Sequence, residues 1–430
     1  MKNRLAVLVI VLSLLLASVG TITAQDPVEI EFYFPVAVDA PITEVLNGYI
    51  ADFEAENPDI VVTPVYAGGY PDVMTAIMTT IDGGGQPPAV AVLLATALYD
   101  LINADAIAPL DGYIAGVEDS EAYLGDFLPA FLANSYYDDQ LWSLPFQRSA
   151  VVLYYNADLL AEAGIEPPNS WDALAEAAQA LTVRDGDEVT RWGILWPSDW
   201  PYWLFQPLAI GSAQNIVGDS DSEVYFDNPD VIEAVQYYID LSAVYGAMPV
   251  GVQANWGQAT TDFASGAAAM VVHSTGSLSG LLAQADFEIG VMAVPGQEAD
   301  TYASVPGGGN LYVFSGAPQE EQDAAWRFIE FLTQPAYAAD WSINTGYIAS
   351  RASAYETDAM VAYVEEVPQA LQTRAALDYA GAELSVQDLS HILSIFHNYL
   401  QAAFNGVMTP AEAMATAQTE ADDALAIFRE

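Results

Sequence analysis

From Val28 to Val36, Ile30, Phe32 and Phe34 alternate with Glu29, Glu31 and Tyr33, the period of a strand with one buried face. The period then lengthens. Val45, Tyr49, Ile50 and Phe53 recur at helical spacing over 41–56, and Asn57-Pro58 ends that helix because the residue before proline resists the α conformation. Ile60 to Tyr66 predicts a second strand, and Pro71 to Ile81 a helix stopped by Gly83-Gly84-Gly85. Ala89 to Leu94 predicts a third strand, apolar throughout as strands covered on both faces are. Strands alternating with helices predict an α/β fold with a mostly parallel sheet flanked by helices.

The pattern continues with different lengths. A loop near 141 turns into a β-branched strand ending Val152-Leu153-Tyr154-Tyr155-Asn156, and a helix over 157–163 stops at Gly164, a residue suited to a left-handed cap. After Pro167-Pro168, Ser170 caps a helix with Leu174, Ala177, Ala178 and Leu181 on one face. Val231 to Tyr245 is amphipathic, Phe263 and Gly266 close a helix before a strand over 268–272, and 318–332 carries Ala325, Phe328, Ile329 and Leu332 on one face. Beyond about residue 357 the pattern is mostly helical. A chain of 430 residues exceeds what one hydrophobic core organises, so two lobes are expected. No repeat and no low-complexity linker is present, so any crossing between lobes is made without a flexible spacer.

The N-terminus has its own pattern. Lys2 and Arg4 precede an apolar run from Leu5 to Gly20, and Thr21-Ile22-Thr23-Ala24 offers a cleavage site after Ala24, which predicts a signal peptide over 1–24. The run is shorter than the roughly 20 residues of a spanning helix, which disfavours an uncleaved anchor. Export to the periplasm or extracellular space is expected. The chain has no cysteine, hence neither a disulfide nor a thiol for a lipid anchor.

Composition narrows the function by exclusion. Nine basic residues stand against 58 acidic ones, a formal net charge of −49 that becomes two more negative once Lys2 and Arg4 leave. Such a surface repels phosphate backbones and anionic headgroups, so nucleic-acid and membrane-surface partners are not expected. The acids are dispersed, which fits a screened, saline medium better than an acidic tail. Lys2 is the only lysine, which removes a phosphate-binding loop lysine and a Schiff-base lysine. His391 and His397 fall on different faces of one helix, and with His273 they are expected to be surface or satisfied core residues; no metal or other cofactor is expected. Gly276-Ser277-Leu278-Ser279-Gly280 lacks the nucleophile-elbow pattern, and Asp219 to Glu223 lacks the glycine and terminal glutamate of a calcium loop. Dispersed acids offer carboxylate pairs everywhere, so none singles itself out for glycoside hydrolysis.

One positive cluster stands out. Trp196, Trp200, Trp203 and Phe205 lie beside Pro197 and Pro201, which predicts a partly exposed loop, with Trp200 or Trp203 as a platform for the C–H face of a sugar. Trp171, opening an amphipathic helix, reads as structural, and Trp256 and Trp341 are open.

A run of short stretches in fixed order carries a resemblance. These are Asn57 to Tyr66 with Gly68-Gly69-Tyr70, Leu144-Pro145-Phe146 with Val152 to Asn156, and Ala163-Gly164-Ile165-Glu166-Pro167-Pro168-Asn169-Ser170-Trp171. Ser274-Thr275-Gly276-Ser277-Leu278, Gly307-Gly308-Gly309-Asn310-Leu311, Thr345-Gly346-Tyr347 and Thr409-Pro410 follow. Taken together the mature chain resembles the family 1 extracellular solute-binding proteins of ABC importers, in particular their glycerol-3-phosphate-binding members.

The resemblance implies the two-lobed periplasmic-binding-protein fold (type II), with the ligand cleft between lobes. Lobe 1 would comprise 26–148 and 290–340, lobe 2 149–289 and 341–428, with crossings near 148, 289 and 340. It places ligand contacts on Tyr70, Ser149, Ser274, Gly308 and Tyr347. Two contacts of that branch are missing: Ala95 stands where a glutamate grips ligand hydroxyls, and Leu393 stands where an arginine holds a phosphate. Arg148, beside Ser149, either replaces that charge or pairs with an acid at the crossing. The expected function is therefore capture of a sugar or polyol and its delivery to a membrane permease, by a monomer without catalytic residues. The alternatives are glycerol-3-phosphate or a glycerophosphodiester held by Arg148, and a secreted carbohydrate-active enzyme.

Overall fold

The computed structural model describes residues 26–251 and 253–429; the signal peptide expected over 1–24 lies outside them. Local signals set the first elements. Strand β1 (Val28–Phe34) leads into helix α1 (Ile42–Glu56), which ends at Asn57 ahead of Pro58, then strand β2 (Ile60–Tyr66), helix α2 (Tyr70–Asp82) and strand β3 (Val90–Leu94). A single long strand follows, β4 (Leu144–Asn156). Gly164 closes the next short helix in the left-handed conformation at φ 65°, and the Ser170 side chain accepts from the Ala173 N–H to cap helix α3 (Trp171–Leu181).

Helices α4 (Pro201–Gly211), α5 (Pro229–Ala243) and α6 (Trp256–Ala264) come next, then strands β5 (Met270–Ser274), β6 (Ile289–Met292) and β7 (Pro306–Val313). Helices α7 (Gln319–Leu332), α8 (Pro335–Thr345), α9 (Leu389–Phe404) and α10 (Pro410–Leu425) complete the elements used below. Among the described residues no helix is long and apolar enough to cross a membrane.

The seven strands form one sheet in the order β6-β4-β7-β3-β1-β2, with β5 also on β4. β1 runs parallel to β2 and β3, as the alternating pattern predicts. The rest is antiparallel: β7 against β3 and β4, and both β5 and β6 against β4. The sheet is therefore mixed rather than mostly parallel. The reason is that β4 and β7 arrive by crossing the molecule, not by a helical return, and so enter against the direction of β1 and β3.

β4 belongs to two cores. Its first half, with β1, β3 and β7, borders a core built on Phe32, Phe34, Phe53, Phe146, Phe328 and Trp341. Its second half carries Val151 and Leu153 into a core with Trp171, Leu174, Leu204, Val305 and Phe396. Val152 and Tyr154 point to the opposite face, onto Phe263 and Leu281. β4 is thus buried on both faces in two successive settings, with the polar Gln147, Arg148 and Ser149 between them. Helix α8 ends at Gly346 with φ 84°, and the Ile348 N–H donates to the Arg148 carbonyl at 2.9 Å, tying the returning chain to the middle of β4.

Candidate functional site

The site is built where β4 and β7 pass from one core to the other. Ser149 pairs with Gly307 and Arg148 with Gly308, and the register shifts between Gly309 and Asn310. Gly308 sits at φ 92°, and a Cβ there would lie 2.1 Å from the Gln147 carbonyl oxygen, so the turn of the strand requires glycine. At Gly307 a Cβ would lie 2.4 Å from the indole of Trp203. That close approach lets Trp203 Nε1 donate to the Pro306 carbonyl at 2.8 Å and seats helix α4 on the strand.

Tyr70, Ser149, Ser274, Gly308 and Tyr347, though scattered along the chain, line one cavity of about 430 Å³ with Trp200 and Trp203. Ala37, Val38, Leu94, Tyr202, Trp256 and Glu383 complete its wall. The tryptophan segment differs from the expected loop. Pro201 is the first residue of α4 and starts the helix rather than breaking it, so Trp203 and Phe205 are helical and buried, and Trp200 flanks the first turn. Trp203 and Trp256 stack with centroids 6.3 Å apart, giving the cavity a broad π surface. Trp196 is core, its Nε1 donating to the Leu204 carbonyl at 3.0 Å, and Trp171 stacks on Tyr237 at 4.4 Å away from the cavity. Trp341 lies behind Tyr347, stacked at 6.0 Å, and against Phe146 at 4.8 Å.

Polar atoms in and behind this wall are incompletely satisfied. Gln147 Nε2 donates to the Tyr347 hydroxyl at 3.0 Å. Yet Gln147 Oε1, the Tyr70 and Thr96 hydroxyls, Arg148 Nε and Nη2, and Glu383 Oε2 are buried without a well-formed hydrogen bond. Orphaned buried groups are costly, and so many at one place mark positions that a polar ligand or water fills. The buried tyrosines are pushed well above their ordinary pKa by loss of solvent, so their hydroxyls are neutral and can donate.

Arg148 is fully buried and is not part of the cavity wall. Its Nη1 donates to Asn310 Oδ1 at 3.0 Å, its guanidinium lies over the Phe131 ring at 5.1 Å, and its Nη2 is 4.0 Å from Glu383 Oε2. Of the two roles open to it, the structure gives it an acid partner. Asn310 is held in turn by donating to Ser135 and Ser143 at 3.1 and 2.9 Å. Burial pushes Glu383 up to about 8, against the downward pull of the Arg148 guanidinium.

Sequence reasoning missed Glu383 and Tyr202 and left open Trp256, which lines the cavity. The signal for Trp256 was the capping residue Asn255, whose side chain accepts from the Gln258 N–H. Ala95 is buried next to the cavity-lining Leu94, and Leu393 is half-buried against the second core, not in the cavity wall. The histidines are all accounted for. His273 is buried between Ser277 and Thr260, His397 accepts from the Tyr202 N–H at 3.3 Å, and exposed His391 pairs with Asp388 at 3.1 Å. The acidic segment at 219–223 forms a turn, with the Gly218 N–H donating to the Glu223 carbonyl at 3.0 Å. Among the described residues no cluster of histidine and carboxylate could hold a metal ion.

A continuous mixed sheet with two cores and a cavity at its crossing strands is the architecture of two-lobed binding proteins. The chain belongs to the family described as bacterial extracellular solute-binding protein, whose profile matches residues 48–369. It is 27% identical to the sn-glycerol-3-phosphate-binding periplasmic protein UgpB of Escherichia coli (strain K12), over 97% of this chain and 96% of that one. Its fold superimposes on UgpB from Mycobacterium tuberculosis in complex with glycerophosphocholine, with a TM-score of 0.81 and 22% identity over 94% of this chain and 99% of that one. Maltose-bound MalE3 of T. maritima shares the fold with a TM-score of 0.79 and 21% identity over 92% of this chain and 100% of that one.

Proposed function

We propose that this protein is the exported capture subunit of an ABC importer, binding a neutral sugar or polyol in the cavity beside β4 and β7 and passing it unchanged to a membrane permease. The observation that carries the ligand class is the pairing of aromatic faces, Trp200, Trp203 and Trp256, with buried donors and acceptors that have no partner. Sugars present both kinds of surface. A periplasmic location is supported by the family and by the name of its E. coli relative.

The two lobes, in this reading, are 26–150 with 306–366, and 151–305 with 367–429. Val294 and Val305 pack in the second core, whereas Trp341 and Tyr347 pack in the first, Arg351 bonds to Asp126 and Met360 packs on Ala338, which supports crossings near 306 and 366 in place of those expected near 289 and 340. A glycerophosphodiester or glycerol-3-phosphate is the second reading, favoured by the ligands named for the two UgpB proteins. It has against it the loss of the arginine at Leu393 and the acid beside Arg148.

Calorimetric titration with glucose, maltose, glycerol, sn-glycerol-3-phosphate and glycerophosphocholine, followed by analysis of the recovered ligand, tests the proposal. Saturable binding of an unaltered neutral member is expected. Binding of the phosphates alone selects the second reading, and a cleaved product makes the protein an enzyme.

A further inference from the structure

We propose that Glu383 is the specificity-determining contact of the cavity: its carboxylate accepts hydrogen bonds from ligand hydroxyls, in place of the acid absent at Ala95, and selects neutral polyhydroxylated ligands over anions. The inference rests on the solute-binding reading above and names the residue that decides among its ligands.

Three observations lead to it. Among the described residues that line the cavity, Glu383 is the only charged one. It is 4% exposed, and its buried Oε2, on the side of Arg148, makes no hydrogen bond, so the acceptor capacity of this wall carboxylate is unfilled. Its counter-charge stands behind it: Arg148 Nη2 is 4.0 Å away, too far for a hydrogen bond, and Nε and Nη2 are themselves free of partners. Arg148 is fixed by Asn310 and Phe131 and is outside the wall, so it acts through Glu383 as a positioning residue. With both groups ionised the pair is neutral overall, and a phosphate entering the cavity meets the carboxylate first. A hydroxyl meets an acceptor and gains a charge-assisted bond.

The surroundings make this contact separable by pH. The charged or titratable groups facing Glu383 are Arg148 from β4, Tyr312 from β7 and Tyr202 from α4; Tyr70 from α2 faces Arg148. Burial raises all three tyrosines out of the neutral range. His397, stacked on Tyr202 at 5.6 Å, is pushed down to about 4 by burial. Glu383 alone changes charge near neutrality, at about 8 in the free protein. Ligand hydroxyls that accept nothing and donate to the carboxylate favour its ionised form. Binding then releases a proton below that pH, and affinity rises with pH until Glu383 is ionised without the ligand.

The experiment is calorimetric titration of the mature protein with glucose, maltose, glycerol and sn-glycerol-3-phosphate at about pH 6.5 and about pH 9, in buffers of different ionisation heat. The wild type is expected to bind a neutral member more tightly at the higher pH, releasing protons at the lower one. Glu383→Gln should bind that ligand about tenfold or more weakly at the higher pH, with no pH dependence, and should gain affinity for sn-glycerol-3-phosphate. Proton release by the wild type needs no variant, so it decides the matter even if Glu383→Gln fails to fold. Neutral-ligand binding with no proton release, or unchanged in Glu383→Gln, overturns the role of Glu383 and leaves the solute-binding reading standing. A wild type that prefers sn-glycerol-3-phosphate overturns the selectivity. A wild type that binds no member of the panel overturns the solute-binding reading, and the inference with it.

Discussion

At the scale of single residues, the cavity depends on side chains whose own positions are fixed by neighbours outside it. Tyr347 is the clearest example: it is 3% exposed, backed by Trp341, and its hydroxyl accepts from Gln147. Replacing Tyr347 by Ala removes an aromatic wall and leaves the Gln147 amide unpaired. The expected cost is about 1–3 kcal/mol of ligand affinity, read by calorimetry. An unchanged dissociation constant would take Tyr347 out of the site. The cavity-lining positions in short motifs came from the resemblance, and the backbone constrains some of them: only glycine fits at Gly308, and Ser274 stands at the end of a strand where its hydroxyl accepts from the Gly276 N–H. Glu383 was not legible, because a chain with 58 acids gives no local reason to choose one. Its character comes from burial beside an arginine more than 200 positions away, and no spacing reports that.

At the scale of elements, β1 through β3 were readable because each strand and helix is bounded by its own breaker, Pro58 or the glycines from Gly83. Helix α4 was misread because Pro201 can break a helix or begin one, and only packing of Trp203 on Gly307 decides between them. The mixed sheet was hidden for a related reason, since strand direction depends on which lobe a segment enters from. The contact between β5 and α6 gives a prediction of its own. His273 on β5 lies 3.8 Å, ring to ring, from Trp256 on α6 and is fully buried, which pushes it down to about 3. His397 on α9 is pushed down to about 4 for the same reason.

The unfolded chain takes up these protons near the ordinary value of about 6.5, so it binds more protons than the folded one below that pH. Their contribution to stability is complete above about 6.5 and is lost as pH falls toward 3 to 4. Urea denaturation at about pH 7 and about pH 4.5 should show a lower midpoint in acid, and His273→Asn should lessen the drop. An identical pH dependence in that variant would mean that His273 is not neutral in the fold.

At the scale of the whole molecule, the two cores meet across crossing strands and through polar contacts at the rim. Gln284 donates to Asp39 at 3.2 Å on one side, and Asn103 donates to Gln387 at 2.8 Å on the other. Short crossings and a thin polar rim suit hinge closure over a small solute. The net charge of −49 acts at this scale too, as a long-range field that repels anions and leaves neutral molecules untouched. A neutral ligand therefore binds without regard to ionic strength, whereas a phosphate must first overcome that repulsion and gains from its screening. Titration of the mature protein with maltose and with sn-glycerol-3-phosphate, each at low and at high salt, tests the claim of a neutral-solute receptor most directly. The expected result is a saturable site for the sugar whose dissociation constant is the same at both salt concentrations. A site that ignores the sugar and binds sn-glycerol-3-phosphate, more tightly as salt is raised, would contradict it.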